Sequence, residues 1–143
     1  MHIWDLYSFY TVSIKSLYTV KMDYEGSSFK AIWKDGLLRI EAYILEDNSF
    51  GLLQIILDAA IEQDKFNLAW DLRRLEPLSL YQIWKVISFA SQIQPRLDRF
   101  VTKTSVLITP KYLKTIQFIM KYAGPSCPYY VGTSGQEAKN FVS

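Results

Sequence analysis

The side chains best placed to do chemistry lie in mid-chain, between an apolar run and a helical pattern. Arg73 and Arg74 follow the apolar segment Phe66–Trp70 and its closing Asp71, and Glu76 comes shortly after them. Two adjacent guanidinium groups can hold a phosphate or a carboxylate through paired hydrogen bonds. A solvated loop with local ion pairs is the alternative interpretation of the same residues. The sequence therefore offers a candidate anion-binding or partner-binding loop.

Ser79 begins a second segment, in which apolar residues recur with helical spacing. A serine at this position is typical of an N-cap, whose hydroxyl accepts a hydrogen bond from a free backbone N–H. The same hydroxyl is a candidate phosphorylation site, where about two negative charges would be added. Lys85 lies one helical turn beyond Tyr81 and would share its surface. The candidate partner-binding residues are Arg73, Arg74, Glu76, Ser79, Tyr81, Gln82 and Lys85.

Other patterns that could carry chemistry are incomplete. Cys127-Pro128-Tyr129 is similar to the glutaredoxin Cys-Pro-Tyr-Cys site, but Tyr130 replaces the second cysteine. The single histidine, His2, is near the terminus, which argues against a Ser-His-Asp arrangement and against a histidine metal site. The glycine-rich run 132–135 has no lysine of the phosphate-binding type and is better explained as a helix cap. We expect no catalytic residue, no metal ligand and no cofactor.

Composition indicates one globular domain with a substantial core. The chain has 143 residues, of which 50% are hydrophobic. No apolar run approaches the roughly 20 residues of a membrane helix, and the N-terminus does not have the pattern of a secretory signal. A single cysteine excludes an internal disulfide framework. These features favour a cytoplasmic protein that is not integral to a membrane.

The net charge of +2 conceals an uneven distribution along the chain. Up to Asp71 acids outnumber bases, whereas beyond it ten bases accompany only Glu76, Asp98 and Glu137. This excess could form a basic face for an anionic partner. Ordinary solvated helix faces are the alternative. The bases form no patterned stripe, so nucleic-acid binding is not expected.

Alternation of apolar and polar residues predicts strands at Ser28–Lys34 and Leu37–Ile44, joined by a hairpin turn at Asp35-Gly36. Residues 1–25 alternate less regularly. We interpret them as an N-terminal extension, extended or strand-forming, that adds to a sheet edge or packs on the domain, although a helix would also fit part of them. Residues 26–143 would form the single domain.

The remainder of the chain alternates helices with short apolar strands. Helical spacing predicts helices at about 49–63, from Ser79 to near Gln94, from Pro110 to about 122, and from about 134 to Phe141. The second helix would bury the stripe Leu80, Ile83, Trp84, Ile87, Ala90 and Ser91. Strands are predicted at 66–70, 103–109 and 129–132. The order β-β-α-β-α-β-α-β-α indicates an α/β fold with a mostly parallel sheet and an antiparallel edge hairpin.

This order resembles the STAS family, which includes the anti-sigma-factor antagonists and the cytosolic domains of anion transporters. The resemblance covers about Ser28 to Ser143. It rests on the opening hairpin, Asp71-Leu72 with Leu75, the strand at Ser105–Thr109 and Glu137-Ala138. It implies a STAS-like mixed sheet and a regulatory, non-enzymatic, protein-binding role in signalling.

In the antagonists, the loop before the second helix carries Asp-Ser-Ser-Gly-Leu, and one of these serines is phosphorylated by a kinase-like anti-sigma factor. An ungapped alignment from Asp71 sets Ser79 on the family's Asp and Leu80 and Tyr81 on its serines. A slip of one residue sets Ser79 on the first serine instead. The resemblance therefore implies a docking surface over residues 73–85, facing a protein partner such as a kinase-like regulator, without the usual phospho-switch.

Two further hypotheses concern ligands and self-association. A related STAS/SEC14-like group is associated with lipid-like ligands, so a lipid-like or other small ligand is the alternative function; the high aromatic content of 15% favours it. The alternating aromatic residues of the N-terminal extension could also pair edge to edge in a homodimer.

Overall fold

The computed structural model describes residues 23–143, which form one six-stranded sheet. Its strands lie side by side in the order in which they occur in the chain. They are β1 (Tyr24–Glu25), β2 (Phe29–Lys34), β3 (Leu37–Ala42), β4 (Phe66–Asp71), β5 (Val101–Leu107) and β6 (Tyr129–Gly132). Strand β2 is antiparallel to both of its neighbours, β1 and β3, and β3 to β6 are parallel. The predicted mixed α/β sheet with an antiparallel edge is therefore confirmed.

The hairpin between β2 and β3 turns at the predicted dipeptide. Asp35 and Gly36 have φ values of 52° and 76°. Positive φ at both central positions defines the turn whose twist matches that of paired strands. The turn fixes the register that pairs Trp33 with Leu38, so Phe29 and Ala31 fall on the buried face.

Four helices follow the strands. They are α1 (Asp47–Ile61), α2 (Leu80–Leu97), α3 (Leu113–Ala123) and α4 (Gly135–Val142), and a short 3-10 turn, Pro110–Tyr112, precedes α3. Helices α1, α2 and α3 connect the parallel strands and lie on one face of the sheet. Helix α4 lies on the other face, where the Asn67 side-chain amide donates to the Val142 carbonyl at 2.8 Å. The main core fills the space between β2–β5 and the first two helices.

Helix α2 begins after the predicted cap Ser79 but differs from its prediction at the C-terminal end. It continues through Pro95 to Leu97 instead of ending near Gln94. The Gln94 amide donates to Asp98 at 2.7 Å, and Leu97 is buried in the main core. Packing of the final turn therefore outweighs the cost of a proline near a helix end.

The predicted inward stripe of α2 is also wrong in part. Leu80 and Trp84 are 79% and 68% exposed, and Ser91 is exposed. Only Ile93 and Leu97 are fully buried in this helix. The first half of α2 is apolar on more than one side, so spacing alone did not define which side faces the sheet.

The predicted N-terminal extension, residues 1–25, can be compared with the structure only at residues 23–25. Tyr24 and Glu25 pair with Ala31 and Lys30 at the sheet edge. Residues 1–22 lie outside the described part of the chain, and so does the proposed homodimer contact that depends on them. His2 lies there as well.

Candidate functional site

Asp71 is the centre of an ionic cluster at the carboxyl end of β4. Its carboxylate accepts two side-chain hydrogen bonds from Arg73, at 3.0 and 2.8 Å, and one from Arg39 at 3.5 Å. Burial raises the pKa of the Asp71 carboxyl, but the hydrogen bonds and positive charges of these arginines outweigh that effect and hold the pKa below its usual value. The cluster extends along the sheet to Glu41, which accepts from Arg39 and from Tyr43.

The loop after β4 is fixed by backbone hydrogen bonds. Leu75 N–H donates to the Leu72 carbonyl at 3.2 Å, and Glu76 N–H donates to the Tyr43 carbonyl at 2.8 Å. Arg73 and Arg74 are both exposed on this loop. Arg73 is engaged by Asp71, whereas Arg74 forms no ion pair with any residue of the described range 23–143. Arg74 is thus the arginine of this loop without an ion pair among residues 23–143.

Ser79 caps α2 in a reciprocal arrangement. Its hydroxyl accepts from Gln82 N–H at 3.2 Å, and the Gln82 side chain accepts from Ser79 N–H at 2.8 Å. The Gln82 amide also donates to the Leu45 carbonyl at 3.1 Å, which ties the start of α2 to the segment before α1. The N-cap interpretation of Ser79 is therefore confirmed, and it gives Gln82 a structural role.

Beyond the cap, α2 presents a group of exposed apolar side chains. Leu80, Tyr81 and Trp84 are 79%, 64% and 68% exposed. The Lys85 ammonium lies 4.9 Å from the centre of the Tyr81 ring and 2.5 Å from an Asp47 carboxylate oxygen. We call the loop and first turns of α2, residues 73–85, the docking surface.

Five of the seven predicted site residues fall into three groups, while Arg74 and Glu76 lie exposed on the loop. Tyr81 and Lys85 lie together, Ser79 and Gln82 form the cap, and Arg73 is held by Asp71. Leu80 and Trp84 belong to the docking surface but were assigned to the core by their spacing. Helical spacing also allows a buried face formed by Val86, Phe89 and Ile93. With that choice, Leu80, Tyr81 and Trp84 lie on the opposite, exposed face, and the sequence alone could have indicated this alternative.

An apolar cavity of about 160 Å³ lies between the sheet and its three connecting helices. Leu68 and Trp70 of β4 and Val106 of β5 form its floor. Its other walls come from α1, α2, α3 and the loop after β4; they include Phe50, Leu53, Leu75, Leu78, Val86, Phe89, Ala90, Ile93, Ile116 and Met120. The high aromatic content favours a small ligand, but no residue pattern locates this space.

Cys127 and Ser134, which belong to the incomplete motifs, make local contacts near β6 and α4. Cys127 lies in the loop before β6, and its thiol is 3.4 Å from the Thr104 hydroxyl. Ser134 caps α4 by accepting from Glu137 N–H at 3.2 Å. Among residues 23–143, no three His, Cys, Asp or Glu side chains are grouped so as to hold a metal ion. No helix of this described range is long and apolar enough to cross a membrane.

Comparison with known proteins supports the fold and leaves the family open. No family model and no curated protein matches the chain. A solved structure that does match is an uncharacterised protein of the DUF3478 family, with a SpoIIAA-like fold, from Shewanella loihica PV-4. It is 10% identical, with a TM-score of 0.60 over 81% of this chain and 93% of that chain. The chain therefore has a SpoIIAA-like fold, which is the STAS-like fold expected from its sequence.

Proposed function

We propose that this chain is a non-enzymatic domain that binds a protein partner through the docking surface. The observation that carries the proposal is the exposure of Leu80, Tyr81 and Trp84 on adjacent turns of one helix. Large apolar side chains grouped on a surface are characteristic of interaction sites. Tyrosine and tryptophan are also the residues that most often dominate binding energy at protein interfaces.

The charges around this apolar group define the chemistry of the partner. Arg74 has no ionic partner among the described residues, whereas Lys85, at the edge of the group, is already paired with Asp47. A partner that presents apolar side chains and a carboxylate opposite Arg74 would match this arrangement. The surface is also held in shape before binding, because the Ser79–Gln82 cap and the Gln82–Leu45 hydrogen bond fix the start of α2.

The absence of an enzymatic role is part of this proposal. The reactive side chains near the docking surface are engaged in structural bonds: Asp71 by Arg73 and Ser79 by Gln82. In the ungapped alignment Leu80 and Tyr81 stand where the family motif has its two serines, and in the alignment slipped by one residue they stand where it has serine and glycine. We infer docking without a serine phospho-switch.

A pull-down from the native source tests the docking surface. Three baits are compared by quantitative mass spectrometry: wild type, the double variant Arg74→Glu with Tyr81→Ala, and a control double variant on α3, Lys114→Glu with Phe118→Ala. The control likewise reverses one positive charge and removes one exposed aromatic ring. Both control residues are exposed. A protein recovered by wild type and control, but reduced at least tenfold with the docking variant, supports the proposal. Equal recovery by all three baits contradicts it.

A parallel assay with anionic vesicles distinguishes a protein partner from a lipid surface, since exposed tryptophan, tyrosine and lysine side chains also suit a membrane interface. If the docking variant no longer binds vesicles but still recovers every protein that wild type recovers, the docking surface binds a membrane and not a protein.

A second candidate function is the binding of a small or lipid-like ligand. The apolar cavity beneath α2 favours it, because ligand sites are concave and lined mainly by apolar side chains. Organic extraction or native mass spectrometry of the purified protein would reveal a bound molecule.

A further inference from the structure

The cavity beneath α2 is a site whose size restricts what it can hold. It occupies about 160 Å³, and its walls are apolar almost throughout. A cavity of about 150 Å³ lined by aliphatic and aromatic side chains remains dry and accepts benzene or xenon. A compact apolar molecule would therefore fill this space more favourably than water, because the apolar walls offer water few hydrogen-bond partners.

Helix α2 lies between this cavity and solvent and closes it only in part. The lining residues Val86, Phe89 and Ala90 are only half-buried, whereas the floor residues Leu68 and Val106 are fully buried. Protein interiors are normally packed to crystal-like density. An 18-residue helix with only Ile93 and Leu97 fully buried leaves the space beneath it incompletely filled.

The polar groups that touch the cavity are few and already occupied. The Thr104 hydroxyl is in contact with the Cys127 thiol, and the Gln94 amide donates to Asp98. No charged side chain lines the cavity. A carboxylate or a phosphate would be buried there without a compensating partner, at a large cost.

We propose that this cavity binds a compact, uncharged, apolar molecule, from the size of benzene to about ten non-hydrogen atoms. This proposal rests on the second candidate function and narrows its ligand class: it excludes a whole lipid or a long acyl chain. The cavity shares only Leu75 and Leu78 with the docking surface. The apolar side chains that carry the docking proposal, Leu80, Tyr81 and Trp84, are exposed and do not line it.

Met120 provides a direct reporter in the unmodified protein. Its side chain lines the cavity, and the other methionines, Met1 and Met22, precede the described residues. The full chain is labelled with ¹³C-methyl methionine and titrated with indole and p-xylene, and Met120→Leu assigns the resonance. A saturable shift of the Met120 methyl signal by these aromatic probes is the expected result.

Calorimetry on cavity variants completes the test. Ala90→Leu places extra methyl groups in the cavity, whereas Ser91→Leu adds a leucine at the exposed neighbouring position. We expect Ala90→Leu to weaken indole binding at least tenfold and Ser91→Leu to leave it unchanged.

Absence of a Met120 shift in wild type would overturn the proposal whether or not the variants fold. Tighter binding of oleate than of indole would overturn the size class alone and leave the second candidate function standing. Neither result would bear on docking.

Discussion

The guanidinium of Arg73 forms two hydrogen bonds with the carboxylate of Asp71, from Nε to Oδ1 at 3.0 Å and from Nη2 to Oδ2 at 2.8 Å. The Arg73 backbone N–H also donates to Oδ1, at 3.2 Å. Asp71 therefore fixes both the side chain and the backbone where β4 becomes the loop. Arg73 is therefore engaged within the protein, whereas Arg74 forms no ion pair with any of the described residues 23–143.

Asp71→Asn is expected to lower the free energy of unfolding by about 1–3 kcal/mol at neutral pH, because it removes charge-assisted hydrogen bonds. The folded-state pKa of Asp71 lies below its ordinary value. The stabilisation is therefore fully present above the unfolded pKa of about 3.9 and is lost as pH falls through the folded pKa. Urea unfolding between pH 7 and pH 3 measures it, and the difference from wild type should shrink at the acid end. Glu62→Gln, at an exposed carboxyl, is the control. A constant difference across this range would contradict the assignment.

The same substitution should have opposite effects at two glycines. Gly36 has a φ of 76° in the hairpin turn, which a residue with a Cβ rarely adopts. Gly51 lies within α1, and a Cβ there would meet nothing within 4 Å. We expect Gly36→Ala to destabilise the protein by about 1 kcal/mol and Gly51→Ala to stabilise it by about 0.5–1 kcal/mol. Chemical unfolding of both variants measures these changes in the free energy of unfolding. Changes of the same sign would contradict either the positive φ of Gly36 or the helical position of Gly51.

Ser79→Ala should lower the free energy of unfolding by about 1 kcal/mol, because the Gln82 N–H loses its acceptor. Ser79→Asp retains an oxygen at the cap and should be close to wild type. If Ser79 has no switching role, Ser79→Glu should recover the same proteins in the pull-down as wild type. Loss of a partner with Ser79→Glu, while Ser79→Ala keeps it, would restore the phospho-switch.

The sequence predicted features that local chemistry determines. The Asp35-Gly36 turn, the apolar run of β4 and the Ser79 cap each depend on a few adjacent residues. Tertiary packing decided the rest. Trp84 is exposed although its spacing suited the core, and Pro95 lies inside a helix because Leu97 is buried beyond it. The cavity depends on how closely α2 approaches the sheet, which no residue pattern specifies.

Trp84 and Phe89 provide a final test, since they are aromatic residues on the same helix with opposite roles. Trp84 is 68% exposed, whereas the Phe89 ring lies 5.2 Å from that of Phe50 and lines the cavity. We expect Trp84→Ala to change the free energy of unfolding by less than about 0.5 kcal/mol, as substitutions at exposed positions usually do. Phe89→Ala should cost about 2 kcal/mol or more, because it removes packing at the core.

The effects of these two substitutions on affinity for the partner should be in the reverse order, with the larger loss for Trp84→Ala. Trp84→Ala should weaken affinity for the protein recovered by wild type by tenfold or more, as expected for a tryptophan at the centre of an interface. Urea unfolding and titration calorimetry measure the two quantities separately. Equal destabilisation by both substitutions would mean that Trp84 packs inward. A stable Trp84→Ala that binds like wild type would contradict the proposed central position of Trp84 in the interface.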